Sequence, residues 1–187
     1  MPVTRSERED TQGWGVSGEC HSTSGHCGTL DIAQSRITNN IEFGVFTSGY
    51  SVTVTASLVD HNQPTVAGTY GLGISGNCSS VGHTCGTYEI RSSLVTDNHG
   101  AGTVFMGMDI TLADAVVRRT RPQVSDGMAG RGVEAICVDT WSACGSLTLQ
   151  NTVVSENHHI GVLTDGVPLL VDGSLVESTR EQADPSG

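Results

Sequence analysis

Leu147-Thr148-Leu149-Gln150-Asn151-Thr152-Val153-Val154-Ser155-Glu156-Asn157, followed closely by Gly161-Val162, is the phrase on which the fold turns. Its first two leucines are two residues apart, the period of a strand with one face buried, and Val154 follows five residues after Leu149. The phrase occurs six times. The first core position is Leu30, Val52, Tyr88, Ile110, Leu147 and Leu169, and two residues on come Ile32, Val54, Ile90, Leu112, Leu149 and Val171. Five further along stand Ile37, Val59, Val95, Val117, Val154 and Val176, all β-branched. A glycine followed by a small or β-branched residue marks a further strand: Gly15-Val16, Gly44-Val45, Gly73-Ile74, Gly102-Thr103, Gly132-Val133 and Gly161-Val162. No window sustains the i, i+3, i+4, i+7 pattern of an amphipathic helix.

Successive first positions lie 22, 36, 22, 37 and 22 residues apart, so short coils alternate with coils that carry an added loop. A unit this small cannot bury its apolar face alone, whereas stacked units bury a continuous column. The expected fold is therefore all-β: a right-handed, single-stranded parallel β-helix of about six coils with strands about 4.8 Å apart. A leucine-rich repeat would need its own leucine phrase, and a propeller would need about 40 residues per blade. The expected layout is a disordered segment at 1–12, a solenoid at 13–179 built of double-coil repeats near 13–70, 71–129 and 130–179, and a polar tail at 180–187.

Two polar columns follow the same register. One is Ser35, Ser57, Ser93, Ala115, Thr152 and Ser174; the other is Asn40, Asn62, Asn98, Thr120, Asn157 and Thr179. Asparagine suits a turn because its side chain bonds nearby backbone and tolerates the left-handed region, and stacked asparagines can bond along the axis. Asn40, Asn62, Asn98 and Asn157 are thus read as a structural ladder. With these columns the chain, from residue 13 to about 179, resembles the right-handed parallel β-helix repeat proteins, a pectate-lyase-like superfold that includes polygalacturonases and bacterial secreted or surface proteins. The resemblance implies architecture and leaves activity open, because one fold carries many functions. The catalytic sets of the enzyme families are absent; the nearest phrase is Arg118-Arg119-Thr120-Arg121-Pro122.

The six cysteines fall as Cys20/Cys27, Cys78/Cys85 and Cys137/Cys144, each pair with the same C-x6-C spacing. They read as three disulfide-closed loops, each worth about 2–3 kcal/mol by chain entropy. Zinc is the competing reading, disfavoured because this spacing exceeds the usual ligand spacing and no second Cys/His pair recurs with each loop. His26 and His83 neighbour the first two loops at different offsets, which a repeated metal site would not tolerate. Neither a metal nor any other cofactor is expected.

Disulfides imply an oxidising compartment, yet the charged opening Met1–Asp10 has no apolar export segment. Three readings follow: a fragment of an exported protein, a start lying upstream, or reduced cysteines inside a cell. No stretch nears the roughly 20 apolar residues of a membrane span. The formal net charge is −11, and all nine basic residues are arginine, which argues against nucleic acid as a partner and excludes lysine chemistry.

The arginine cluster falls on the turn of the fourth coil, where Arg119 aligns with Asp97 and Glu156, and Arg118 with Thr96 and Ser155. Charge alternation along the turn is the favoured reading, with anionic-sugar binding on the same guanidiniums as the alternative. The weak catalytic candidates are His99, Arg121 and His158, at equivalent turn positions with Asp97, Glu156 and His159 alongside, where imidazole, guanidinium and carboxylate could handle a sugar acid. The first glycine strand has no core strand before it and the last phrase has no glycine strand after it, so the array reads as starting and stopping mid-coil. A longer array or end-to-end association of chains is the corresponding expectation. The leading functional expectation is a non-catalytic extracellular or cell-surface module, structural, adhesive or carbohydrate-binding, whose partner is a polysaccharide or surface glycan. The alternative is a polysaccharide lyase or glycoside hydrolase.

Overall fold

The structure is a computed structural model that describes residues 13–19, 28–78, 86–127, 129–137 and 144–181. Every regular element among them is a strand. The first coil is β1 (Val16–Glu19), β2 (Thr29–Ala33) and β3 (Arg36–Thr38), and the second is β4 (Phe43–Ser48), β5 (Ser51–Thr55) and β6 (Leu58–Asp60). The third is β7 (Leu72–Asn77), β8 (Thr87–Arg91) and β9 (Leu94–Thr96), and the fourth is β10 (Ala101–Met106), β11 (Asp109–Ala113) and β12 (Val116–Arg118). The fifth is β13 (Arg131–Ile136), β14 (Leu147–Gln150) and β15 (Val153–Ser155), and the sixth is β16 (Val162–Asp165), β17 (Leu169–Asp172) and β18 (Leu175–Glu177).

These strands form three six-stranded parallel sheets, ordered β1-β4-β7-β10-β13-β16, β2-β5-β8-β11-β14-β17 and β3-β6-β9-β12-β15-β18. The chain is a parallel β-helix, and right-handed winding is what strand twist favours in such crossovers. The register joins the sequence columns residue for residue: Leu30 pairs with Val52, Val52 with Tyr88, Ile110 with Leu147 and Leu147 with Leu169. Counted from the glycine strand, the eighteen strands make six coils of three strands each among the described residues.

The inward columns form one core from Ile32 to Val154, including Val45, Ile74, Phe105 and Leu112. Tyr88 is its largest member. Its ring lies 4.8 Å from that of Phe105, its hydroxyl bonds Thr47 Oγ1 at 2.9 Å, and Gly76 leaves the room that the ring fills. A smaller cluster of Phe43, Leu72, Ala101 and Val104 packs with Trp14 and Phe46 away from the main core.

The glycine column has a steric cause. A Cβ on Gly132 would lie 2.5 Å from the Gly161 carbonyl oxygen and 2.6 Å from Asn157 Nδ2, so the strand passes directly over the polar ladder. In that ladder Asn62 Oδ1 accepts from Asn40 N and Nδ2 at 3.2 and 3.0 Å, and Asn98 Oδ1 accepts from Asn62 N and Nδ2 at 3.1 and 2.7 Å. Asn157 Oδ1 accepts from Thr120 N, and its Nδ2 donates to Val117 O. The left-handed residue of each turn is the one before the ladder, not the asparagine itself: Asn39, His61, Asp97, Arg119, Glu156 and Ser178, with φ from 52° to 57°. A second left-handed column, Gln34, Ala56, Ser92, Asp114, Asn151 and Gly173, turns the chain between the second and third sheets.

The added length in the 36- and 37-residue intervals between core phrases is split between two segments, not held in one. Besides the cysteine segments, residues 61–71 and 119–130 replace the short turns 39–42 and 97–100. These two loops touch, Val124 N and Ser125 N both donating to Gly68 O. Cys137 and Cys144 are joined in a disulfide with Cα atoms 5.3 Å apart, and Cys78 is also disulfide-bonded. Cys20, Cys27 and Cys85 lie outside the described residues, as do His26, His83 and residues 1–12.

Candidate functional site

The corner after the third sheet gathers the charged residues. Asp97, held in the left-handed region, accepts from Arg119 Nε at 3.0 Å and Nη2 at 2.7 Å, and from Thr96 Oγ1 at 2.9 Å. Arg121 Nη2 stands 3.8 Å from the same carboxylate. The Arg119 guanidinium holds the Asp97 carboxyl below its ordinary pKa, against the opposing effect of burial. This carboxylate is an ion-pair partner with its lone pairs occupied, poorly placed to take a proton from a substrate.

His99 pairs with Arg121, and His158 with Arg180, in isolated parallel bridges, so histidine and arginine alternate up this column. His99 Nδ1 lies 3.1 Å from Pro122 O; a carbonyl only accepts, so Nδ1 carries the proton and Nε2 is the basic nitrogen. His158 Nδ1 is buried without a hydrogen-bond partner. Both imidazoles are held below the ordinary histidine pKa, first by burial and then, against the help of a backbone carbonyl, by the adjacent guanidiniums. Both surroundings favour the neutral imidazole. Their register follows the sequence reading; the carboxylates beside them are engaged by arginines, since Glu156 faces Arg180 Nη2 at 3.8 Å.

Arg118 aligns with Thr96 and Ser155 as the register requires. Asp60, in the same column, turns instead to Arg36 Nη2 at 3.3 Å and His61 Nδ1 at 3.0 Å. Among the described residues no group of three or more His, Cys, Asp or Glu side chains is arranged to hold a metal ion.

A second surface lies at the corner between the second and third sheets, where sequence reasoning placed no site. A shallow groove of about 610 Å³ runs across four coils there, lined by Gln34, Arg36, Leu58, Ser92, Leu94, Asp114 and Val116 among others. Gln34, Ser92 and Asp114 are the exposed left-handed residues of the corner, while Leu58, Leu94 and Val116 are half-buried strand residues that form its apolar side. Ser57 and Ser93 lie beneath and are committed to the fold: Ser57 Oγ accepts from Ser35 N and donates to Thr55 O, and Ser93 Oγ accepts from Ser57 N. The missed signal was in the sequence. Leu58, Leu94, Val116 and Val153 stand one residue before the β-branched column, at the outward strand position where a merely solvated face would alternate to polar.

No protein-family model, no curated protein and no solved structure matches this chain. The fold and its surfaces therefore speak through this chain's own residues.

Proposed function

We propose that this protein is a non-catalytic β-helix module of the extracellular space or cell surface that holds a glycan chain along the groove between Gln34 and Val116. The observation that carries this reading is the groove's chemistry, an aliphatic side of Leu58, Leu94 and Val116 beside an exposed polar rim of Gln34, Ser92, Asp114 and Arg36. Sugars present both kinds of surface, apolar C–H faces and hydroxyls at the ring edge, and mostly apolar concave sites with a few polar groups are where small ligands bind. The coils repeat at about 4.8 Å, close to the advance of one sugar in an extended chain, so successive coils can offer equivalent contacts to successive residues. Asp114 is the single carboxylate of this lining, whereas glycoside hydrolysis calls for a pair flanking the scissile bond. The Cys137–Cys144 disulfide supports an oxidising compartment.

Calorimetric titration against neutral and acidic oligosaccharides tests the reading. Leu94→Arg is the informative variant, because Arg36 already occupies that column in the first coil and the fold accommodates the side chain there. The wild type is expected to bind with a Kd of about 1 mM or tighter, with Leu94→Arg weakening binding at least about tenfold and His99→Ala leaving it unchanged. Absence of binding across the panel, or loss that follows His99→Ala and spares Leu94→Arg, would overturn the groove assignment. The lyase or hydrolase alternative predicts release of shorter saccharides on incubation with polysaccharide, abolished by His99→Ala.

A further inference from the structure

Three guanidiniums stand together where the fourth coil leaves the third sheet, and two of them are engaged. Arg119 and Arg121 both face the Asp97 carboxylate. Arg118 is different. Its Nε is buried with no hydrogen-bond partner, and it forms no ion pair among the described residues. Arg36, Arg91, Arg119, Arg121, Arg131 and Arg180 each have an acidic partner, so Arg118 is the single described arginine without one. In a chain of net charge −11 this is not for want of carboxylates.

The two terminal nitrogens of Arg118 are not enclosed as Nε is. A cation that has shed part of its water without gaining a counter-charge carries a cost that an incoming anion would offset. The planar fork of a guanidinium matches two oxygens of a carboxylate or a sulfate. A second observation lies one coil on. Ser155 is the parallel partner of Arg118, and its hydroxyl makes no hydrogen bond among the described residues. Thr96, the partner on the other side, gives its hydroxyl to Asp97. One free donor thus flanks the unpaired fork.

The position of Arg118 ties it to the groove. Val117 points into the core at 0% exposure, so Val116 and Arg118 both face outward on β12. They stand two residues apart, about 6.6 Å along the strand. Val116 lines the groove. Arg118 is therefore set to the side of the apolar strip, within reach of a group projecting from the edge of a sugar ring lying there.

We infer that Arg118, assisted by Ser155, is a subsite for one anionic substituent of the bound glycan, a carboxylate or a sulfate ester. The saccharide part of this inference rests on the groove reading; the anion site rests on Arg118 alone.

The test titrates the full chain with three oligosaccharides of one backbone: unmodified, carboxylated and sulfated at the same ring carbon. The wild type is expected to bind at least one acidic form about tenfold or more tighter than the neutral form, and the tighter of the two identifies the anion. Arg118→Gln should remove that preference and leave neutral binding unchanged. Its column is polar in every coil, Thr38, Asp60, Thr96, Ser155 and Glu177 filling the other places, so the variant keeps the fold, checked by circular dichroism. Equal affinity of the wild type for acidic and neutral forms would overturn the inference, as would a preference that survives Arg118→Gln. Inorganic sulfate and glucuronate, followed through the Arg118 Nε–Hε resonance of labelled protein, probe the anion site without the glycan chain; no shift with either would also overturn it. Leu94→Arg, measured with the neutral form, reports on the groove alone. An Arg118 resonance that moves with sulfate in a chain that binds no neutral saccharide would sink the groove reading and uphold the anion site.

Discussion

Asp97 sits at φ 56° in the turn column and binds the Arg119 guanidinium through both carboxylate oxygens. Because its folded pKa is lowered, the carboxylate contributes stability that is complete above the ordinary carboxylate pKa and is lost as pH falls through the folded value. His99 and His158 act at higher pH in the same direction. Their folded pKa values are lowered, so unfolding takes up protons and stability declines as pH falls through the ordinary histidine value near 6.5. The urea midpoint is expected to drop between pH 7.5 and about pH 5, with His99→Gln removing part of that drop. The polar ladders supply a second residue-scale prediction. They lapse in the fourth coil, where Ala115 has no hydroxyl and Thr120 Oγ1 is buried without a partner. Thr120→Asn should restore acceptance from Asn98 N and Nδ2 and raise stability by about 1 kcal/mol, measured as a higher melting temperature. Residue spacing alone revealed these columns, but could not tell which turn residue takes the left-handed conformation, since that depends on where the backbone bends and His61 or Arg119 gives no sign of it.

The strands were readable from the sequence because β-branched residues at a fixed interval have no other economical explanation. The corners were not. Equal spacing of cysteines drew all the added length of the longer coils into one loop, whereas 61–71 and 119–130 take a share of it and pack against each other through Gly68. The groove was missed for a related reason: its apolar residues stand beside the core column and read as extra hydrophobicity, while only the three-dimensional corner shows that Leu58, Leu94 and Val116 point outward. For the disulfide-closed segment, Cys137→Ser together with Cys144→Ser is expected to lower stability by about 2–3 kcal/mol without altering the far-ultraviolet spectrum, since neither cysteine belongs to a strand or a polar ladder. A larger loss with collapse of strand content would mean that the bridge organises the coils themselves.

Among the described coils each is buried by its neighbours, so stability is shared along the axis. Amide exchange should therefore be slowest around Ile90, Leu112 and Val117, whose side chains are fully enclosed between neighbouring coils. The same regular stacking that makes a rigid scaffold also turns a corner into a repeating surface, and it is this surface that the functional reading rests on. Mapping amide chemical shifts of the labelled protein during titration with a bound oligosaccharide tests that reading most directly. Shifts confined to Gln34, Ala56, Ser92, Asp114 and their strand neighbours are the predicted result; shifts centred on His99, Arg121 and His158, with the corner between the second and third sheets unmoved, would contradict it.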